Sequence, residues 1–81
     1  MMAPEQIKAL ILAGMACEHL ELDGDGRHFT ALIVSVEFIG KNRVQRQQHV
    51  HATLRQQLDS GELHALSFKT LTPEEWNLQR G

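Results

Sequence analysis

The chain has 81 residues, of which 42% are hydrophobic and 22% charged, and a formal net charge of −2. That length suits one domain, residues 1–81, whose thin core argues against a deep substrate cleft around a buried catalytic constellation. The apolar content excludes a disordered chain, and the negative balance argues against broad, non-specific binding of nucleic acid.

Pro4 suits the first position of a helix, where its missing N–H is not needed. Ile7, Leu10 and Ile11 then recur at helical spacing, and Gly14 reads as the stop. Ala3 offers no side-chain acceptor for an N-cap. His19-Leu20-Glu21-Leu22-Asp23 alternates and predicts a half-buried strand. Asp23-Gly24-Asp25-Gly26 has the chemistry of a tight turn, its glycines permitting positive φ. Residues 27–36 are rich in β-branched side chains and apolar on both faces at their middle, as befits a central strand returning from that turn.

Residues 38–42 break the pattern. From Arg43 the period is helical, with Val44, His51, Leu54 and Leu58 on one face and Val50 alongside, until Ser60-Gly61. Residues 63–71 alternate again, Leu66 and Phe68 on one face, Ser67 and Lys69 on the other. Thr72-Pro73-Glu74-Glu75 is a capping box that opens a short last helix carrying Trp76. This order predicts an α+β domain: a three-stranded sheet with helices packed on one face. The third strand follows a helical crossover, so it is expected to pair in parallel with a hairpin strand through a right-handed connection.

Cys17 is the only cysteine, which rules out an internal disulfide and a cysteine-rich zinc site. A secreted domain this small would carry disulfide staples, so a reducing, cytoplasmic setting is expected. Residues 1–8 contain Glu5 and no long apolar run, and the longest apolar stretch, 31–34 with Val36, is too short to cross a bilayer. No membrane role is expected.

The five histidines are the residues best suited to bind a metal. His49 and His51 stand two apart on a predicted helix, roughly 200° around its axis, and cannot grip one ion together. His19 begins a strand beside acids and is expected to be simply exposed. His28 and His64 each start a predicted strand. If those strands are parallel neighbours, the two imidazoles converge at one sheet edge; the alternative is that both serve only the fold. No HxxxH, HExxH or CxxC pattern is present, so a self-contained metal site is not expected. Cys17 and His19 lack a third group to orient them as nucleophile and base, and Glu18, Glu21, Asp23 and Asp25 read as a solvated edge. Neither an enzyme nor a small-molecule substrate is expected. Lys41, Arg43, Arg46 and Arg55 lie in a stretch, 38–58, without one acid. Such a basic turn can meet phosphates, meet an acidic protein surface, or remain solvated.

Three blocks resemble a known family. Phe38-x-Gly40-Lys41-x-Arg43-Val44-Gln45-Arg46 is similar to the BolA signature, and so is 64–76, His-Ala-Leu-Ser-Phe-Lys-Thr-Leu-Thr-Pro-Glu-Glu-Trp. The turn Gly24-Asp25-Gly26-Arg27-His28-Phe29 resembles the IbaG branch of that BolA-like family. The likeness runs from Pro4 to Trp76. It implies a BolA-like αββαβ(α) fold resembling a type II KH domain. It also implies a monothiol glutaredoxin partner and a 2Fe–2S cluster shared with that partner and glutathione, none of it held tightly by the isolated chain. The family's histidine ligand falls on His64, and His28 occupies the region of the second ligand; Cys17 lies outside it. The family is further described as a stress-responsive transcriptional regulator, which directs attention to DNA as an alternative ligand for Lys41, Arg43 and Arg46. Here Gly40-Lys41-Asn42-Arg43 departs from a GxxG loop, since Arg43 stands at the second glycine.

Overall fold

The computed structural model describes residues 2–25 and 28–80. Helix α1 spans Pro4–Gly14, followed by strands β1, His19–Gly24, and β2, His28–Val34. A single 3-10 turn, Val36–Phe38, leads to helices α2, Arg43–Thr53, and α3, Arg55–Ser60; strand β3, Ala65–Leu71, and helix α4, Pro73–Arg80, complete the chain. The hairpin turn expected at Gly26 falls partly outside the described residues.

The sheet order is β1-β2-β3, with β2 central. β1 pairs antiparallel with β2, and β3 pairs parallel with it, His28 lying opposite Ala65 and Val34 opposite Leu71. The parallel pairing expected from the helical crossover is therefore present. Phe29, Ala31 and Ile33 of β2 are buried, and the side chains across from them, Leu22, Leu20, Leu66 and Phe68, pack on the same core. Ile7 and Ile11 of α1 and Val50 and Leu54 cover that face and are fully buried, so both long helices lie on one side of the sheet as predicted. Each such aliphatic side chain stabilises the fold by about 1.5–3 kcal/mol on burial.

Several local expectations are corrected. Gly14 closes α1 without a left-handed residue, because Met15 is extended. Its lack of a side chain serves close packing instead: a Cβ there would stand 2.7 Å from Thr53 Cγ2 on α2. The predicted long helix is broken at Leu54, whose φ of −119° and ψ of 12° separate α2 from α3. Val44 is exposed rather than facing the core. It lies six residues before Val50, roughly 120° around the axis, once Asn42 has set the start of α2. Asn42 and Gln45 form a reciprocal capping box at 2.9 Å in each direction.

The outer edge of β3 is closed by α2. Arg46 donates to the Thr70 carbonyl at 3.2 Å, and Gln47 to the Phe68 carbonyl at a longer 3.5 Å. β1 forms the opposite edge. At the far end of the sheet, Thr72 and Glu75 form the expected capping box of α4. Trp76 of this helix stacks on His19, with ring centroids 4.8 Å apart and planes inclined by 20°. By strand alternation His19 faces away from α1 and α2, so α4 covers the end of the otherwise solvated face. His19 is thus half-buried and partnered, not the free surface residue its acidic neighbours suggested.

Candidate functional site

His28 is the first residue of β2, and His64 immediately precedes β3. Because Ala65 lies directly opposite His28, His64 stands one residue before the register partner of His28, and the two histidines occupy adjoining strand starts at one edge of the sheet. Both side chains are exposed. The backbone of His28 is anchored by the hairpin: its N–H donates to the Asp25 carboxylate at 2.9 Å, and its carbonyl accepts from the Asp25 N–H at 3.3 Å. His64 follows Leu63, which is buried and donates its N–H to the Gln57 carbonyl at 3.1 Å. The two imidazoles are therefore held by fixed backbone while their rings remain accessible.

Cys17 lies at the opposite end. The N–H of the next residue, Glu18, bonds the Val34 carbonyl, and Val34 ends β2, roughly 20 Å from His28 at about 3.3 Å per residue. Burial pushes the Cys17 thiol above its ordinary range, and the nearby Glu37 carboxylate adds to the shift. This is the chemistry of an inert thiol, not of a ligand or nucleophile. Among the described residues no three His, Cys, Asp or Glu side chains form a metal-holding group. By themselves the two histidines of this edge do not make up a complete metal site.

The remaining histidines are structural. His49 hydrogen-bonds Glu37 at 2.7 Å, and His51 packs edge-on against Phe68 at 5.2 Å. The Glu37 carboxylate also accepts from the Ala16 N–H, and this bond, reinforced by His49, holds it below the usual carboxylate range. Glu37 so ties the α1–β1 connection to α2, a role for which its sequence neighbourhood gives no sign.

The three basic residues singled out by charge differ in what the fold leaves them. Arg46 has its side chain only 15% exposed, donates to the carbonyls of Lys41 and Thr70, pairs with Glu75 at 2.8 Å and lies over the Phe38 ring. Lys41 bonds the Glu37 carbonyl at 2.7 Å and remains half-buried. Arg43 is exposed, and among the described residues its side chain makes no hydrogen bond or ion pair. Lys69, which the sequence argument passed over, joins Lys41 and Arg43 around one cleft of about 370 Å³ beside the start of α2.

A family model described as "BolA-like protein" matches residues 3–75. The chain belongs to the BolA-like family. It is 32% identical over 79 residues to the acid stress protein IbaG of Escherichia coli, covering 98% of this chain and 94% of that one. It is 39% identical over 56 residues to the DNA-binding transcriptional regulator BolA of Haemophilus influenzae, covering 69% of this chain and 53% of that protein. A BolA homologue from Coxiella burnetii superposes with a TM-score of 0.84 at 33% identity, over 95% of this chain and 99% of that structure. The BolA-like α+β fold expected from the sequence is therefore present. Among the described residues no helix is long and apolar enough to cross a membrane.

Proposed function

We propose that this BolA-like protein is a non-enzymatic cytosolic partner of a monothiol glutaredoxin, and that His64 and His28 are the ligands it contributes to a shared 2Fe–2S cluster. The observation that carries this reading is the parallel register that sets His28 opposite Ala65, beside His64, with both rings exposed. Two imidazoles cannot complete four ligands, so a cysteine of the partner and a glutathione thiolate supply the others. Imidazole on one iron raises the potential of such a centre relative to all-cysteine ligation. Arg43 and Lys41, on the basic turn, are suited to steer an acidic partner surface.

The test mixes the protein with cluster-loaded monothiol glutaredoxin and follows visible circular dichroism. The mixture is expected to give a spectrum distinct from glutaredoxin alone, and His64→Ala is expected to abolish that change while leaving the isolated fold intact. An unchanged mixed spectrum with His64 absent would remove it from the ligand set; His28→Ala tests the second position in the same way.

A second reading, a DNA-binding regulator, is favoured by one observation: the cleft that gathers Lys41, Arg43 and Lys69 beside the start of α2. Two features weigh against it. Arg46 is engaged by Glu75, and the overall charge is −2. Gel retardation across a salt series decides between them, since phosphate contacts weaken steeply with salt.

A further inference from the structure

A cleft of about 550 Å³ lies just beyond the Val34 end of β2, with Val36, Ile39 and Pro73 as its apolar lining. His28 starts the same strand, so the histidine edge is roughly 20 Å away at about 3.3 Å per residue. Glu18 and Glu74 also line the cleft. Both are exposed, and among the described residues neither forms an ion pair. The other charges in its wall, Arg46 and Glu75, are paired with each other at 2.8 Å. Lys41, Arg43 and Lys69 line a separate cleft on the other side of that pair. Apolar surface and two uncompensated carboxylates therefore share one cleft, and no unpaired base lines it.

The backbone presenting the apolar side chains is fixed. Residues 38–41 form a type II turn: Ile39 has φ −61° and ψ 129°, Gly40 has φ 81°, and the Lys41 N–H bonds the Phe38 carbonyl at 3.0 Å. Phe38 is fully buried and anchors the turn to the core. The Lys41 ammonium on the Glu37 carbonyl and Arg46 on the Lys41 carbonyl hold it further. Ile39 is nevertheless 64% exposed and Val36 49% exposed. The acids are placed as firmly: the Glu18 N–H bonds the Val34 carbonyl at 2.8 Å, and Glu74 stands in the capped first turn of α4. A site so fixed loses little freedom when it is covered.

Exposed aliphatic side chains beside polar residues have the composition of a protein-docking site. Two unpaired carboxylates repel phosphates, nucleic acid and anionic lipid surfaces, and attract lysine or arginine. A second copy, at net charge −2, is repelled as a whole. We propose that this cleft docks a basic and apolar segment of a second protein. Aliphatic side chains of that segment cover Val36, Ile39 and Pro73, and its lysines or arginines stand beside Glu18 and Glu74. Because the cleft lies at the opposite end of β2 from His28, the segment is held while the histidine edge stays open. This goes beyond the cluster-sharing role and does not depend on it, since it concerns the isolated chain.

The test titrates the isolated protein with a capped peptide of two leucines between two arginines and follows its amide chemical shifts. The control peptide has glutamates in place of the arginines. Saturable changes are expected at Glu18, Val36, Ile39, Gly40 and Glu74, with the arginine peptide bound at least about tenfold more tightly than the control. Ile39→Ser, on an exposed turn that leaves α4 untouched, is expected to weaken binding about tenfold by removing the apolar contact. Glu18→Lys/Glu74→Lys is expected to reverse the preference, so that the glutamate peptide binds better. The mixed-cluster spectrum with glutaredoxin is expected to be the same for Ile39→Ser as for the unmodified protein. No response to either peptide would overturn the proposal, as would equal responses to both or changes confined to another surface. So would an unmodified chain whose mass doubles with concentration and whose Ile39→Ser variant stays single, since the cleft would then hold a second copy. An Ile39→Ser variant that loses the mixed-cluster spectrum would also overturn it and give the cleft to glutaredoxin itself.

Discussion

His19 and Trp76 stack nearly parallel, bringing the first residue of β1 against the last helix although they are far apart in sequence. Arg80 lies over the same indole ring, 5.3 Å from its centroid, and His19 also bonds Glu21. Trp76 is the only tryptophan, so the emission of the protein reports on the surroundings of this one ring. His19→Ala is expected to shift that emission to longer wavelength and to cost about 0.5–1.5 kcal/mol, the usual worth of an aromatic pair beyond its burial. Unaltered emission would mean that α4 is held without the stack.

Arg46 and Arg43 separate a structural cation from a surface one. Arg46→Ala removes a half-buried guanidinium that satisfies two carbonyls and Glu75, and is expected to cost about 1–3 kcal/mol in urea unfolding. Arg43→Ala is expected to change stability by less than about 0.5 kcal/mol. Equal losses would show that the basic turn is bound to the fold as a unit.

Gly14 and Thr53 give a coupled pair. Gly14→Ala improves helix propensity by about 0.5–1 kcal/mol, but overpacking against Thr53 costs about 1–3 kcal/mol, so the net effect is expected to be destabilising. Adding Thr53→Ala is expected to recover most of the loss. A double-mutant cycle with additive terms would show that α1 and α2 can separate at this point without strain.

Acid should loosen the molecule through two carboxylates. Glu37 is held below its ordinary range by the Ala16 N–H and then His49, and Glu75 by the Thr72 N–H and then Arg46. A group with a lowered folded-state pKa favours folding above its unfolded value and loses that contribution as pH falls through the folded value. Thermal stability is therefore expected to hold while pH stays well above the ordinary glutamate value of about 4.3, and to fall below it. Glu75→Gln keeps the capping geometry and removes the titration, so its stability should depend less on pH over that range. An identical slope would exclude Glu75 as a contributor.

The elements themselves were largely legible, because their signals are local. Pro4, the Thr72–Glu75 capping box and Gly61, which ends α3 with φ 81°, mark their boundaries directly. The placing of His28 and His64 at adjoining strand starts followed from crossover logic. What stayed hidden depends on contacts between residues distant in sequence. Arg46 and Glu75 are 29 positions apart, so one arginine of a stretch that reads as free of acids is paired in space. The break at Leu54 and the exposure of Val44 depend on how α2 is seated against β3, which periodicity does not encode. Lys69 alternates outward from β3 like any solvated residue, and only the fold brings it beside Lys41 and Arg43.

The side-chain donors of Arg46 and Gln47 occupy carbonyls on the outer edge of β3 that this seven-residue strand would otherwise offer to a neighbour. Unprotected edges are templates for strand addition between molecules and so for fibril growth. With β3 occupied in this way, runaway sheet extension has only the six-residue strand β1 to use, and its outward acids, Glu21 and Asp23, repel an identical strand laid alongside. The arginine that orders the basic turn therefore also bears on solubility: cells expressing Arg46→Ala should accumulate the protein in insoluble form more readily than its loss of folding stability alone would explain.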